Sequence, residues 1–174
     1  MIKQNRAPAI GRPVPMDFSH FRVLVLDPFL QTRRLLADIL TRDMRVGEVR
    51  TTAALGDALE VVAANGANIL FCDWSDELNA LDLLRFLRSE DSPDRFLPVV
   101  VTTGFNNYDR FQAALAAGAT EFMLKPFTAQ AVENRLKSAA RPRPFVQASG
   151  FFGPDRRRST REFPGLDRRN PFRR

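Results

Sequence analysis

At 174 residues with 44% hydrophobic content, the chain has apolar material for one ordinary core and for segments left outside it. No stretch approaches the roughly 20 apolar residues of a spanning helix, and 1–17 lacks the apolar centre of a signal peptide, so a cytoplasmic protein without membrane insertion is expected. The net charge of +6 is concentrated: 141–174 holds ten arginines against Asp155, Glu162 and Asp167, whereas 1–140 carries 16 basic and 17 acidic residues. A near-neutral globule with a cationic extension implies an anionic partner met by that extension. The single cysteine, Cys72, excludes an internal disulfide and a multi-thiolate metal site, and beside Leu70 and Phe71 it is expected to be a buried strand thiol.

In chain order, 1–19 contains Pro8, Pro13 and Pro15 with little periodicity and is expected to be a flexible segment. From Arg22 an alternating program begins. The apolar run 21–26 has strand length and is followed by Leu35, Leu36, Ile39 and Leu40 at helical spacing. Four more strand–helix pairs follow: 47–51 with Leu55, Leu59 and Val62; 69–72 with Leu83, Leu84 and Leu87; 99–102 with Phe111 and Leu115; and 121–124 with Val132 and Leu136. Breaks fall at Asn65-Gly66, Pro93, Pro98, Gly118 and Pro126, and Thr128 is placed to cap the last helix. The Tyr108, Phe111 and Leu115 stripe is expected to pack into the core. His20 has no second ligand in view and is expected to be solvated or capping.

Continuous apolar runs in the first, third and fourth strands mean that both sheet faces are covered. The prediction is an α/β, doubly wound, five-stranded parallel sheet over 20–140 with functional residues at the carboxyl ends of its strands. Beyond Ala140 the composition shifts to Arg, Pro, Gly and Phe, and 141–174 is expected to be a tail that cannot order alone.

The strand ends present Asp27, Asp73, Thr103 and Lys125, the last followed by Pro126. With Val-Leu-Asp-Pro-Phe, Phe-Cys-Asp-Trp-Ser, Thr-Thr-Gly and Ala-Gly-Ala-Thr-Glu-Phe-Met-Leu-Lys-Pro-Phe in this order, 20–140 resembles the CheY-like receiver domains of bacterial response regulators. That resemblance implies the sheet order 2-1-3-4-5. It also implies Asp73 as phosphoacceptor, Thr103 as sensor of the phosphoryl group, Lys125 as its partner, Phe122 as switch aromatic, and Asp27 with Asp73 as Mg²⁺ ligands. The chemistry is coherent, because a carboxylate attacking a phosphoryl group needs a cation to neutralise the charge on the transferring oxygens. The sequence departs from the family where Pro28 replaces the second acidic residue after strand one, and proline offers a metal no side chain. The loop after Asp73 is also short and lacks the usual Pro and Asp-Gly. An ion pair of Asp73 with Lys125 kept only for packing is the alternative. Trp74 is expected to frame the pocket.

The tail contains a repeat, Gly153-Pro154-Asp155-Arg156-Arg157 and Gly165-Leu166-Asp167-Arg168-Arg169, with a period of twelve residues and with Phe151, Phe152, Phe163 and Phe172 around it. Arginine pairs bidentately with the guanine O6/N7 edge, stacks on purines and pairs with phosphate, while aspartate accepts from the guanine Watson–Crick edge. Glycine permits close backbone approach. A doubled guanine–phosphate ligand suits such a repeat. The tail is similar to that of the Cle proteins, the CheY-like cyclic di-GMP effectors of alphaproteobacteria. This resemblance implies phosphate and guanine contacts for Arg156, Arg157, Arg158, Arg161, Arg168 and Arg169, guanine-edge contacts for Asp155 and Asp167, and a flagellar switch partner at the flagellated pole.

The expectation is therefore a non-enzymatic effector that binds cyclic di-GMP through its tail and relays this to a protein partner. Two alternatives stay open: a single-domain response regulator phosphorylated from a histidine kinase, and a degenerate receiver whose tail binds nucleic acid or acidic lipid with steep salt dependence.

Overall fold

The computed structural model describes residues 16–148 and 150–155. Its elements are β1 (Arg22–Leu26), α1 (Leu30–Asp38) running into a π-helical turn (Ile39–Asp43), β2 (Glu48–Thr52), α2 (Leu55–Ala63), β3 (Ile69–Asp73), α3 (Ala80–Arg88), β4 (Val99–Thr103), α4 (Tyr108–Ala116), β5 (Glu121–Leu124), α5 (Ala129–Ala139), β6 (Phe145–Ala148) and β7 (Phe151–Pro154). The first five strands form one parallel sheet in the order β2-β1-β3-β4-β5. Right-handed βαβ crossovers place helices on both faces of such a sheet. Accordingly, β3 and β4 are buried along their whole length, while the edge strand β2 is half exposed.

Side-chain alternation divides the core in two. Leu24, Leu26, Leu70, Cys72, Val99 and Val101 pack under α2, α3 and α4 against Val62, Leu84, Leu87 and Phe111. Val23, Val25, Ile69, Phe71, Val100 and Met123 pack under α1 and α5 against Leu36, Leu40, Val132 and Leu136. Thr128 caps α5 as its position predicts, accepting from the Ala131 N–H at 3.2 Å. Among the described residues no helix is long and apolar enough to cross a membrane.

Three expectations are corrected by packing. Residues 16–19 belong to the domain: Phe18 is buried, and its carbonyl accepts from Phe21 N and Gly47 N at 3.0 and 3.2 Å. Gly47 is required there, because a Cβ would lie 1.8 Å from the Ser19 carbonyl oxygen. Leu35 lies in α1 as its spacing predicts, on the solvent side at 51% exposure, whereas Tyr108, expected in the core with Phe111 and Leu115, is exposed.

The largest difference lies beyond Ala140. Instead of leaving the domain, the chain forms the antiparallel hairpin β6–β7, with Phe145 opposite Pro154 and Ala148 opposite Phe151. It docks beside the C-terminal end of α4 and the start of β5. The Phe96 ring sits edge-on to Phe145 and Phe152 at 5.2 and 5.4 Å, and the Arg95 guanidinium lies 3.8 Å over the Phe152 ring. The described part of the segment is ordered, packed against receiver surface. The boundary expected at 140 therefore moves to at least Asp155, the last described residue. Arg156, Arg157, Arg158, Arg161, Asp167, Arg168 and Arg169 lie outside the described residues.

Candidate functional site

At the carboxyl ends of β1, β3 and β5 the fold gathers Asp27, Asp73 and Lys125. The Lys125 ammonium lies 2.6 Å from Asp27 Oδ2 and 2.6 Å from Asp73 Oδ1. Both carboxylates are almost fully buried and the lysine side chain is largely so. Two oxygens thus share one cation. Asp27 Oδ1 accepts from the Phe29 N–H at 2.8 Å, the Asx-turn contact that sets the start of α1. Asp73 Oδ2 is buried with no hydrogen-bond partner. Such an oxygen costs about 1–3 kcal/mol, which a carboxylate retained only for packing would be expected to avoid.

Thr103 ends β4 close by, fully buried. Its hydroxyl donates to the Trp74 carbonyl at 2.7 Å and accepts from the Phe105 N–H at 3.2 Å, so it is turned to the loop after Asp73 and not to the carboxylates. Phe122 is buried within β5 and meets Phe111 edge-on at 5.4 Å, facing the core beneath α4. Trp74 is buried next to Asp73, with the Arg110 guanidinium 5.1 Å from its ring and 3.6 Å from that of Phe105.

Burial raises the Asp27 carboxyl above its ordinary value of 3.8, against the opposing hydrogen bonds from Lys125 and Phe29. Burial foremost, with the two neighbouring carboxylates, also pushes the Cys72 thiol up, so this fully buried sulfur is an inert core atom as its neighbours suggested. The raised Asp27 value has a consequence for stability. A carboxyl that holds its proton more tightly folded than unfolded loses stability as pH climbs from about 3.8 through its folded value. Asp27→Asn, which keeps the Oδ1 acceptor for Phe29, is expected to flatten this part of the curve of urea midpoint against pH. An unchanged slope in that window would assign the titration to another group.

The Mg²⁺ implied by the resemblance fits this donor set poorly. Pro28 contributes no side-chain oxygen, both carboxylates already close on Lys125, and among the described residues no three His, Cys, Asp or Glu side chains gather into a metal-holding group. A hard divalent ion asks for about six oxygens, and the residues present do not match a tightly held one. Magnesium added at millimolar levels is expected to leave Trp74 emission unchanged; a saturable change in emission would show otherwise.

Several charged residues that tie the fold together, Arg33 at the site and Arg88 and Glu121 at the far end of the sheet, carry no signal that single-sequence reading could rank. Arg33 donates to the Asp27 carbonyl from α1. Arg88, buried at the end of α3, donates to the carbonyls of Gly118, Arg95 and Leu97 at 3.1, 3.0 and 2.8 Å. Glu121, buried at the start of β5, accepts from Arg143 at 2.9 Å and from Ser138 Oγ at 2.5 Å. Of the residues assigned to the nucleotide, only Asp155 is described; its N–H donates to the Pro144 carbonyl at 2.8 Å, closing the base of the hairpin.

Comparison with known proteins agrees with this geometry. The family model of the response regulator receiver domain matches residues 23–137. The chain is 27% identical to the chemotaxis protein CheY of Pseudomonas aeruginosa over 117 residues, 67% of this chain and 93% of that protein. It is 30% identical to the chemotaxis protein CheY1 of Helicobacter pylori over 118 residues, 67% of this chain and 94% of that protein. Among solved structures, the chemotaxis response regulator CheY4 of Vibrio cholerae superposes with a TM-score of 0.58 at 21% identity, covering 67% of this chain and 96% of its own. A receiver domain from Bermanella marisrubri gives 0.61 at 24% identity, covering 69% and 98%. These two show the shared fold, and the family match ends at Lys137, before the hairpin. With the sheet order, the Asp27–Lys125–Asp73 cluster and the family match in agreement, the chain belongs to the response regulator receiver domain family and is CheY-like.

Proposed function

We propose that this chain is a non-enzymatic CheY-like effector, acting in the cytoplasm, that binds cyclic di-GMP through its Arg-rich C-terminal segment and relays the event to a protein partner, the flagellar motor switch. The observation that carries the reading is the position of the first repeat. Gly153-Pro154-Asp155 closes β7 on the receiver surface, so the unit that continues into Arg156 and Arg157 starts from the signalling domain itself. The doubled Gly-x-Asp-Arg-Arg unit suits a ligand with two guanines and two phosphates. The poor fit of the carboxylate pair to a divalent cation supports an input other than phosphorylation, and two curated relatives named as chemotaxis proteins support a motility partner for the receiver.

Calorimetric titration of the full chain with cyclic di-GMP at moderate salt is expected to show saturable binding, with cyclic di-AMP and GTP much weaker. Arg156→Ala with Arg168→Ala should remove it. Equal response to all three nucleotides, falling steeply with salt, would return the segment to nonspecific binding of nucleic acid.

The second reading, a response regulator phosphorylated on Asp73, has one observation in its favour: the buried, unpartnered Asp73 Oδ2 beside Lys125. Under it, Asp73→Asn abolishes signalling; under the preferred reading, Asp73→Asn leaves the nucleotide response in place.

A further inference from the structure

The loops that follow β3 and β4 are closed into a ring of contacts by one cation. Arg110, in the first turn of α4, lays its guanidinium 3.6 Å from the centre of the Phe105 ring and 5.1 Å from that of Trp74. A guanidinium within about 6 Å of a ring centre is attracted to its face. Ion pairing adds little: Asp76 stands 3.9 Å away with its side chain 83% exposed, and Arg110 Nη1 is buried with no hydrogen-bond partner. The two aromatic faces therefore hold Arg110. The ring then closes through Thr103, whose hydroxyl donates to the Trp74 carbonyl at 2.7 Å and accepts from the Phe105 N–H at 3.2 Å. The Phe105 carbonyl in turn accepts from the N–H of Asn107, and Asn107 Oδ1 accepts from the Arg110 N–H at 3.3 Å as the cap of α4.

A threonine hydroxyl has one proton to donate. While the Trp74 carbonyl holds it, none is left for Asp73, on the neighbouring strand, whose Oδ2 is buried without a donor. We infer that Arg110 is an autoinhibitory latch: stacked on Trp74 and Phe105, it pins the two loops together and keeps the Thr103 hydroxyl from the Asp73 carboxylate. Release of Arg110 frees the hydroxyl to turn, so the closed ring is the resting state of the pocket. Arg110 acts through Thr103 and is a positioning residue. Every atom of the latch belongs to the receiver, and it holds whether or not the chain binds a nucleotide.

Trp74 is the only tryptophan of the chain, so its emission reads the latch directly. In the full chain, Arg110→Ala should raise acrylamide quenching of Trp74 about twofold and speed hydrogen exchange at the Phe105 N–H about tenfold. Amides within β3 and β4 should keep their wild-type protection, which separates opening of the latch from unfolding. Phe105→Tyr, which keeps a ring beneath the guanidinium, should match the wild type in both readings. A cycle with Thr103→Val reads the route: the amide at 105 should exchange fast in that variant, and adding Arg110→Ala should speed it no further. Wild-type exchange at 105 in Arg110→Ala would overturn the latch. So would a further acceleration in the Thr103→Val background, because Arg110 would then act on the loop without Thr103. Should Arg110→Ala fail to fold, Phe105→Ala carries the same test, since that side of the stack is 38% exposed.

Discussion

Lys125→Met should destabilise the domain by about 3–5 kcal/mol near neutral pH, the largest loss expected from any single substitution in the pocket. The side chain is matched in length, so little packing is lost; what disappears is the cation shared by Asp27 and Asp73 at 2.6 Å each, with both carboxylates about 1–2% exposed. Two buried anions would then face each other, and burial already holds the Asp27 carboxyl above its ordinary value. The loss is therefore expected to shrink on acidification, as Asp27 takes up a proton at a higher pH than in the unfolded chain. Adding Asp73→Asn to Lys125→Met should recover part of the loss. Urea titrations of the three proteins at two pH values decide the matter: a loss below about 1 kcal/mol would mean that water reaches the carboxylates and that the cluster behaves as a surface pair.

Two truncations separate the hairpin from the arginines that follow it. Ending the chain after Asp155 should leave thermal stability unchanged and abolish nucleotide binding. Ending it after Ala140 should also cost about 2 kcal/mol of stability, because it uncovers the rest of the Phe96 ring and takes Arg143 away from the buried Glu121 carboxylate, leaving it to Arg135 at 3.4 Å. Scanning calorimetry on the two proteins, with the nucleotide titration repeated on each, reads both effects. Equal melting temperatures would show that the hairpin contributes no net stability to the receiver; nucleotide binding that survives removal of 156–174 would place the ligand elsewhere on the domain.

The strand–helix units were legible because four of the five strands, β2 (Glu-Val-Arg-Thr-Thr) excepted, hold a compact apolar run and each helix carries its own period, signals contained within about ten residues. Asp27, Asp73 and Lys125 could be named from chain order alone, since a parallel sheet brings the carboxyl ends of its strands together whatever the intervening loops do. Thr103 stands at the end of β4, where chain order puts it, yet the direction of its hydroxyl depends on the Trp74 carbonyl, which no spacing rule supplies. The hairpin was not legible. Phe145-Val146 and Phe151-Phe152 are two-residue apolar runs between prolines and glycines, too short for a period, and what orders them is Phe96 and Arg95, some fifty residues earlier. Glu121 and Arg88 escaped for the same reason: a buried charge is recognisable only through its partners, here Arg143 for the first and three backbone carbonyls for the second. Leu35 shows the converse, a local helical signal with no neighbouring surface to cover it.

Strand β5 is four residues long, a span of about 13 Å at the usual rise. Its first residue, Glu121, is clasped by Arg143 from the C-terminal segment; immediately after its last stands Lys125, which bridges Asp27 and Asp73; and Phe122 lies between. A charge change at the acidic cluster and a change in hairpin docking therefore arrive at opposite ends of one short rod. In the vocabulary of circuits, β5 has two terminals, one at the acidic cluster and one at the hairpin, so Lys125→Met and removal of 141–174 act on opposite ends of the same strand.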